Sequence, residues 1–246
     1  MSRAVGHRSL QWRGRRPEGA EAAVLVLHGG KEHSEERPGP VNLPGLRMAG
    51  FARAVARLTA GQRVAVGAVR YRYRGWNGAH ADAARDASAA LSDLAEALGP
   101  VPTVLIGHSM GGRAAIRAAG HPCVLGVVAL APWCPPEEPV VQLKDRTLIT
   151  LHGDRDTVTA PAATRLLAAR AREAGARVAG YTVPGAGHAL MQRPGDWHRI
   201  TATLTAALLG LRPFPAEVAA ALTLAPGQDG GLELPLTPRH ATPATH

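Results

Sequence analysis

The chain has 246 residues, of which 46% are hydrophobic and 19% are charged, and its formal net charge at pH 7 is +9. This composition is typical of a folded protein rather than a disordered one, and the chain has no run of about 18 apolar residues that could span a membrane. Nearly all of the positive charge is arginine spread along the chain, without the dense patch or motif of a nucleic-acid-binding protein, so we predict neither a nucleic-acid nor a membrane partner.

Short apolar runs alternate with helical patterns along the chain. The predicted strands are continuous apolar runs, typical of strands buried on both faces: Ala23–Leu27, Arg63–Val69, Thr103–Ile106, Val124–Leu130, Thr147–Leu151 and Val178–Val183. The predicted helices have apolar residues at helical spacing and end near Gly or Pro: Leu46–Leu58, Asp82–Leu98, Met110–Ala119, Pro161–Ala174 and Trp197–Leu209. This alternation predicts an α/β fold, a mostly parallel central sheet with helices on both faces.

The two ends of the chain differ from this central pattern. One or two antiparallel edge strands are expected before Ala23. After residue 210 the chain becomes rich in proline, with threonine and glycine between the prolines. We therefore predict one domain over residues 1–210 and a C-terminal extension over residues 211–246 that is largely disordered.

The cysteines and the N-terminal residues bear on localisation. Cys123 and Cys134 flank the predicted strand Val124–Leu130, which would hold them about 23 Å apart, too far for a disulfide. The arginine-rich segment Met1–Arg16 has no apolar run behind it and does not look like a secretory signal. We predict reduced thiols and a cytoplasmic protein.

A G-x-S-x-G motif, Gly107-His108-Ser109-Met110-Gly111, lies between a predicted strand and a predicted helix. The chain must turn sharply there, which strains the serine backbone and projects its hydroxyl. A serine hydroxyl is a poor nucleophile at neutral pH unless a positioned base takes its proton. Ser109 is therefore the candidate nucleophile, whereas His108 is the variable position of the motif.

A base and an acid follow later in the chain, each after a predicted strand. His188 ends the glycine-rich loop after Val178–Val183, and Asp154 and Asp156 follow Thr147–Leu151. The base needs an acid that fixes its tautomer, and both aspartates are candidates on position alone. His152, between the strand and these aspartates, is interpreted as a surface or turn residue.

Four motifs resemble the α/β-hydrolase family: the early HGG, the elbow GHSMGG, the turn HGDRD and the loop GAGH. The resemblance covers about Ala23–Leu209, and the order Ser109, Asp156, His188 is the order of that family. It implies Asp156 as the acid, because the family acid usually lies three residues after the strand-ending glycine. Asp154 would then cap the turn.

The segment RGWNG (residues 74–78), together with Ala131-Pro132-Trp133, looks like a subgroup of small actinobacterial-type serine hydrolases of this family, and we expect no lid domain. Only Cys134–Arg146 separates Trp133 from the next predicted strand, which is too short for a lid. The resemblance also implies an oxyanion hole built from the Met110 and Gly30 amides, with Lys31 as the alternative if the loop is shifted by one residue.

The candidate substrate-binding residues are Trp133, Trp76 and Arg74. Trp133 ends the strand after the elbow helix, and the other two lie in a loop that should border the site, because ligands bind at the carboxyl ends of parallel strands. An equally supported interpretation makes this loop structural, with Trp76 packed and the arginines in water.

Together these features predict a serine hydrolase that cleaves carboxylic esters or thioesters of small molecules through an acyl-enzyme, without a cofactor or a metal ion. The alternatives are other chemistry of the same fold, such as dienelactone, C–C bond or perhydrolysis reactions, and a non-catalytic scaffold. The choice between ester and thioester, the acyl chain and the oligomeric state stay open.

Overall fold

A computed structural model of the chain describes residues 7–14, 16–39 and 42–236. Its strands are β1 (Leu10–Trp12), β2 (Ala22–Leu27), β3 (Val64–Val69), β4 (Thr103–His108), β5 (Val124–Leu130), β6 (Thr147–Gly153), β7 (Arg177–Val183) and β8 (Leu234–Pro235). Its α-helices are α1 (Leu43–Leu58), α2 (Asp82–Leu98), α3 (Met110–Ala118), α4 (Pro161–Glu173), α5 (Pro194–Leu208) and α6 (Ala216–Ala221).

The strands form one sheet in the order β1-β3-β2-β4-β5-β6-β7-β8. The short edge strand β1 is antiparallel to β3, and every other neighbouring pair is parallel. Strands β3, β4 and β6 are buried along their whole length, which explains why they are apolar without alternation. The predicted α/β fold with a mostly parallel sheet is confirmed.

Helices cover both faces of the sheet. The apolar residues of α2, α3 and α4 form one core cluster with one face, and those of α1, α5 and α6 form a second cluster with the other. Helix α1 begins at Leu43, before the predicted start, because the Asn42 side chain accepts the Gly45 N–H and Pro44 occupies the first turn; both features favour a helix start.

The size of the connection between β5 and β6 determines how much of the carboxyl edge of the sheet is covered. Residues 131–146 hold only one short 3₁₀ turn, Val141–Leu143. Nothing in this connection is large enough to cover the carboxyl ends of the strands. The predicted absence of a lid domain is confirmed.

The prediction of a largely disordered C-terminal extension is corrected for residues 211–236. Helix α6 buries Val218 and Ala221 against the second core cluster, and β8 pairs with β7. The Arg172 guanidinium donates to the Gln228 and Gly230 carbonyl oxygens. The proline content did not predict disorder here, because a few apolar side chains suffice to bind this segment to the core. Residues 237–246 lie outside the described residues.

A separate observation concerns membranes. Among the helices in the described parts of the chain, none is both long enough and apolar enough to cross a bilayer.

Candidate active site

Ser109 lies at the sharp turn between β4 and α3. Its backbone adopts φ +55° and ψ −121°, a region that side chains other than glycine rarely occupy. A Cβ at Gly107 would overlap the Gly111 carbonyl, and one at Gly111 would overlap the Leu27 and His28 carbonyls. The two glycines of the motif are therefore required for strand and helix to approach each other this closely.

The structure brings Ser109, His188 and Asp156 together at the carboxyl edge of the sheet. His188 Nε2 lies 3.0 Å from Ser109 Oγ, and His188 Nδ1 lies 2.8 Å from Asp156 Oδ2. The Asp156 side chain is fully buried, whereas the His188 ring keeps 17% of its surface exposed. The three groups form a hydrogen-bonded line from a buried carboxylate to an accessible hydroxyl, the geometry that general-base activation of a serine requires.

Asp156 is held as a carboxylate by its donors. Its Oδ1 accepts the N–H groups of Val158 and Thr159 at 2.8 and 3.0 Å, and its Oδ2 accepts the Thr159 hydroxyl at 3.0 Å. Burial opposes ionisation, but hydrogen bonds from the two amides and His188 outweigh it and keep the Asp156 pKa below its ordinary value. The group is therefore charged at neutral pH and can fix the proton of His188 on Nδ1.

Asp154 does not take part in this line. Its exposed carboxylate accepts the Gly185 N–H at 2.7 Å, which joins the loop after β6 to the glycine-rich loop that carries His188. The expected bonds from amides of its own turn are not found among the described residues, and Asp154 accepts an amide of the next loop instead.

His152 was missed by the sequence interpretation, which made it a surface or turn residue. The residue is buried, and its Nε2 lies 3.1 Å from both Asp156 Oδ2 and the Thr159 carbonyl oxygen. Both partners are acceptors, so Nε2 carries the proton, and Nδ1 accepts the Thr164 hydroxyl at 2.8 Å. Burial lowers the His152 pKa, so a neutral ring adds a further donor to the carboxylate.

His108 contacts His188 from the other side. Its Nε2 donates to the His188 carbonyl oxygen at 2.9 Å, and its buried Nδ1 has no partner among the described residues. Burial, reinforced by the neighbouring His188, lowers the His108 pKa to about 3. The ring therefore stays neutral and holds the backbone of the histidine loop in place.

The low pKa of His108 makes stability depend on pH. Between the folded value of about 3 and the ordinary value of 6.5, the unfolded chain binds more protons, so the free energy of unfolding falls as pH drops. From pH 6.5 to 5 the loss from this residue is about 2 kcal/mol. Urea unfolding of wild type and His108→Gln at both pH values measures it.

The glutamine variant should lose about 2 kcal/mol less than wild type over this interval. His80→Gln, at an exposed position, is the control and should keep the wild-type dependence. Equal pH dependence in His108→Gln and wild type would contradict the assignment.

The loop after β2 lies directly beside the elbow. A Cβ on Gly29 would come within 3.3 Å of Ser109 Cβ, and one on Gly30 would collide with the Met110 side chain. Neither the Gly30 nor the Met110 N–H has an acceptor among the described residues, whereas the Lys31 N–H donates to the Arg74 carbonyl oxygen at 2.8 Å. The Lys31 amide is therefore engaged within the protein, whereas the Gly30 and Met110 amides keep the free N–H groups that an oxyanion hole would need.

Comparison with known proteins identifies the family. The sequence profile described as the alpha/beta hydrolase family matches residues 24–148. The chain belongs to the alpha/beta hydrolase family. The sequence matches no curated protein.

Solved structures of other alpha/beta hydrolases share the fold. A putative alpha/beta hydrolase from Agrobacterium tumefaciens is 17% identical with a TM-score of 0.61, covering 84% of this chain and 94% of that one. A serine hydrolase without a lid from Xanthomonas campestris is 17% identical with a TM-score of 0.57, covering 84% and 89%. Est1E from Butyrivibrio proteoclasticus is 15% identical with a TM-score of 0.58, covering 82% and 93%.

The candidate substrate residues of this alpha/beta hydrolase fall into two places. Trp76 and Trp133 line a cavity of about 570 Å³ that also borders Thr159. Trp76 is only 2% exposed, and the Arg113 guanidinium carbon lies 3.9 Å from its ring centre and 4.3 Å from that of Trp133. Trp76 therefore packs, as the structural interpretation predicted, and also lines a cavity that reaches Thr159, a neighbour of Asp156 and His188.

Arg74 is not brought to that cavity. Its exposed side chain donates to Glu36 at 3.0 Å, and the residue lines a separate cavity of about 300 Å³ with Gly29 and Gly30. No group of three or more His, Cys, Asp or Glu side chains in the described ranges is arranged to hold a metal ion.

Proposed function

We propose that the protein is a serine hydrolase that cleaves carboxylic esters or thioesters of small molecules. The observation that carries the proposal is the line of hydrogen bonds from Asp156 through His188 to Ser109, with distances of 2.8 and 3.0 Å. Membership of the alpha/beta hydrolase family supports a hydrolytic reaction. The free thiols of Cys123 and Cys134 support a cytoplasmic location.

The charged Asp156 and the proton on His188 Nδ1 allow acylation of Ser109. Asp156 keeps the proton of His188 on Nδ1, so Nε2 is free to take the hydroxyl proton as Ser109 Oγ attacks the acyl carbon. The amides of Gly30 and Met110 donate to the oxyanion, and the positive end of the α3 dipole adds to its stabilisation. His188 then gives its proton to the leaving alcohol or thiol as the bond to the acyl carbon breaks.

Deacylation repeats the same steps with water. His188 takes a proton from a water molecule, whose oxygen attacks the acyl carbon, and returns it to Ser109 Oγ as the carboxylic acid leaves. Trp133 and Trp76 line the cavity proposed to hold the acyl group. The absence of a lid over the described site favours small substrates that reach Ser109 directly from water.

Labelling with a fluorophosphonate tests this function. The wild-type protein should be labelled at Ser109, because the reagent reacts with a serine only when a base and an oxyanion hole activate it. A panel of esters and thioesters of graded chain length then measures kcat/KM for each class. A folded wild-type protein that is neither labelled nor active on the panel would refute the proposal and favour a non-catalytic scaffold.

A further inference from the structure

Two adjoining cavities lie beside the loop after β2, and they share no lining residue with the tryptophan cavity. The smaller, about 300 Å³, is lined by Gly29 and Gly30, and the larger, about 750 Å³, lies against the N-terminal half of α1. They share the lining residues His28, Pro38, Gly39 and Asn42. We call the two together the basic groove. Its combined size is in the range of sites that hold ligands larger than a simple alcohol.

The charge of the basic groove is of one sign. Its permanently charged lining residues are all cations: Arg13, Lys31, Arg37, Arg70, Arg72 and Arg74. No Asp or Glu lines it among the described residues, and every Asp and Glu of the chain lies within the described ranges. A concave surface lined by one sign of charge attracts ligands of the opposite sign.

Only some of these cations are neutralised by the protein. Arg72 pairs with Asp86 and Asp82, and Arg74 pairs with Glu36. Arg13, Lys31, Arg37 and Arg70 have no carboxylate within salt-bridge distance in the described ranges. The basic groove therefore keeps a net positive charge.

Two buried donors in the larger cavity lack acceptors. Arg13 Nε and the hydroxyl of Tyr71, a residue that is 3% exposed, have no hydrogen-bond partner among the described residues. Buried polar groups are nearly always paired, and the chain itself supplies no acceptor to these two donors among the described residues. The N-terminus of α1 at Leu43 also lines the groove and adds the positive end of a helix dipole.

We propose that the basic groove binds the phosphate groups of the leaving group, so that the preferred substrate is a thioester of a phosphate-bearing, nucleotide-linked thiol. This inference rests on the proposed function. The groove begins at Gly30, whose amide would hold the carbonyl oxygen, and it shares no lining residue with the tryptophan cavity. Gly29, which also lines the groove, lies beside Ser109, because a Cβ on it would come within 3.3 Å of Ser109 Cβ. A substrate with its scissile bond at Ser109 would then place the thiol in the groove and the acyl group in the tryptophan cavity.

The reaction balances without a co-reactant other than water. Ser109 Oγ forms a bond to the acyl carbon, the C–S bond breaks, and the sulfur takes the proton that His188 removed from the serine. Water then releases the carboxylic acid from Ser109. The products are the free thiol, still carrying its phosphates, and the acid.

The test compares two thioesters with the same acyl group, hexanoyl-coenzyme A and hexanoyl-pantetheine, of which only the first carries phosphates. Wild-type kcat/KM should be at least about 10-fold higher for the coenzyme A thioester at low salt, and this preference should shrink as salt screens the charges. The double variant Arg37→Ala/Arg70→Ala should lose most of the preference, because KM should rise much more for the coenzyme A thioester than for the pantetheine thioester.

The matched control is Arg53→Ala/Arg57→Ala, which removes the same charge from exposed positions of α1 outside the groove. It should keep the wild-type preference. The inference would be overturned if the ratio of kcat/KM for the two thioesters were the same in wild type and the groove variant. It would also be overturned if the control variant lost the preference as strongly as the groove variant does.

Binding separates this inference from the proposed function. Ser109→Ala should bind coenzyme A in calorimetry, and adding Arg37→Ala/Arg70→Ala should weaken that binding by about 10-fold or more. If Ser109→Ala binds in this way but wild type hydrolyses nothing, the proposed function fails and the groove assignment stands. If wild type hydrolyses esters but coenzyme A does not bind, the groove assignment fails alone.

Discussion

Replacing Ser109 by alanine is expected to lower kcat for the best ester or thioester substrate by about 10⁴–10⁶-fold. In the proposed mechanism the variant loses the oxygen that forms the acyl-enzyme, and neither His188 nor the amides of Gly30 and Met110 could replace it. The variant keeps only substrate binding and the hydrogen bonds that would stabilise the oxyanion. Steady-state kinetics on the purified variant measure the loss, with fluorophosphonate labelling as an independent readout.

The fold should survive this substitution. The Ser109 side chain makes no hydrogen bond to the protein other than that to His188, within the described residues, and the backbone strain is already present in wild type. The thermal unfolding midpoint should therefore stay within a few degrees of wild type. Ser92→Ala, an exposed serine of α2, is the matched control and should retain full activity. A Ser109→Ala protein as active as this control would show that another group is the nucleophile.

Replacing Asp156 by asparagine is expected to lower kcat by about 10³–10⁴-fold. Asp156 Oδ2 accepts from His188, His152 and Thr159, and Oδ1 accepts from two backbone amides. An asparagine must turn its NH₂ group toward one of these sets of donors. If it faces His188, the ring can no longer keep its proton on Nδ1, and Nε2 is not free to act as the base.

Asp154→Asn is the matched control for this prediction. Its carboxylate accepts only the Gly185 N–H among the described residues, and an asparagine side-chain oxygen can accept the same bond. Activity should stay within about 3-fold of wild type, since exposed substitutions have small effects. A greater loss in Asp154→Asn than in Asp156→Asn would reverse the assignment of the acid. Circular dichroism of both variants separates loss of catalysis from loss of fold.

Different parts of the site were predictable to different degrees. The elbow around Ser109 follows from a local requirement, because glycines must flank a strained turn between a strand and a helix. The choice between Asp154 and Asp156 rested on resemblance, since two aspartates two residues apart look alike in sequence. The contacts of the two carboxylates separate them.

The histidines illustrate what a single sequence leaves out. His108 and His152 carry no motif of their own, yet one donates to the carbonyl of His188 and the other to the carboxylate of Asp156. The available signals were weak. His152 stands four residues before Asp156 at the end of a buried strand, and His108 directly precedes Ser109.

The amino-acid sequence by itself determined the alternation of strands and helices over the central part of the chain, the parallel sheet and the sharp turn at Ser109, because these depend on apolar periodicity and on short-range steric requirements. Only the tertiary structure decided which aspartate meets His188, that residues 211–236 pack against the core and pair with the sheet at β8, and that arginines as distant as Arg13 and Arg70 border one groove. These depend on contacts between residues far apart in the chain, which form only when the segments pack together and which no local pattern records.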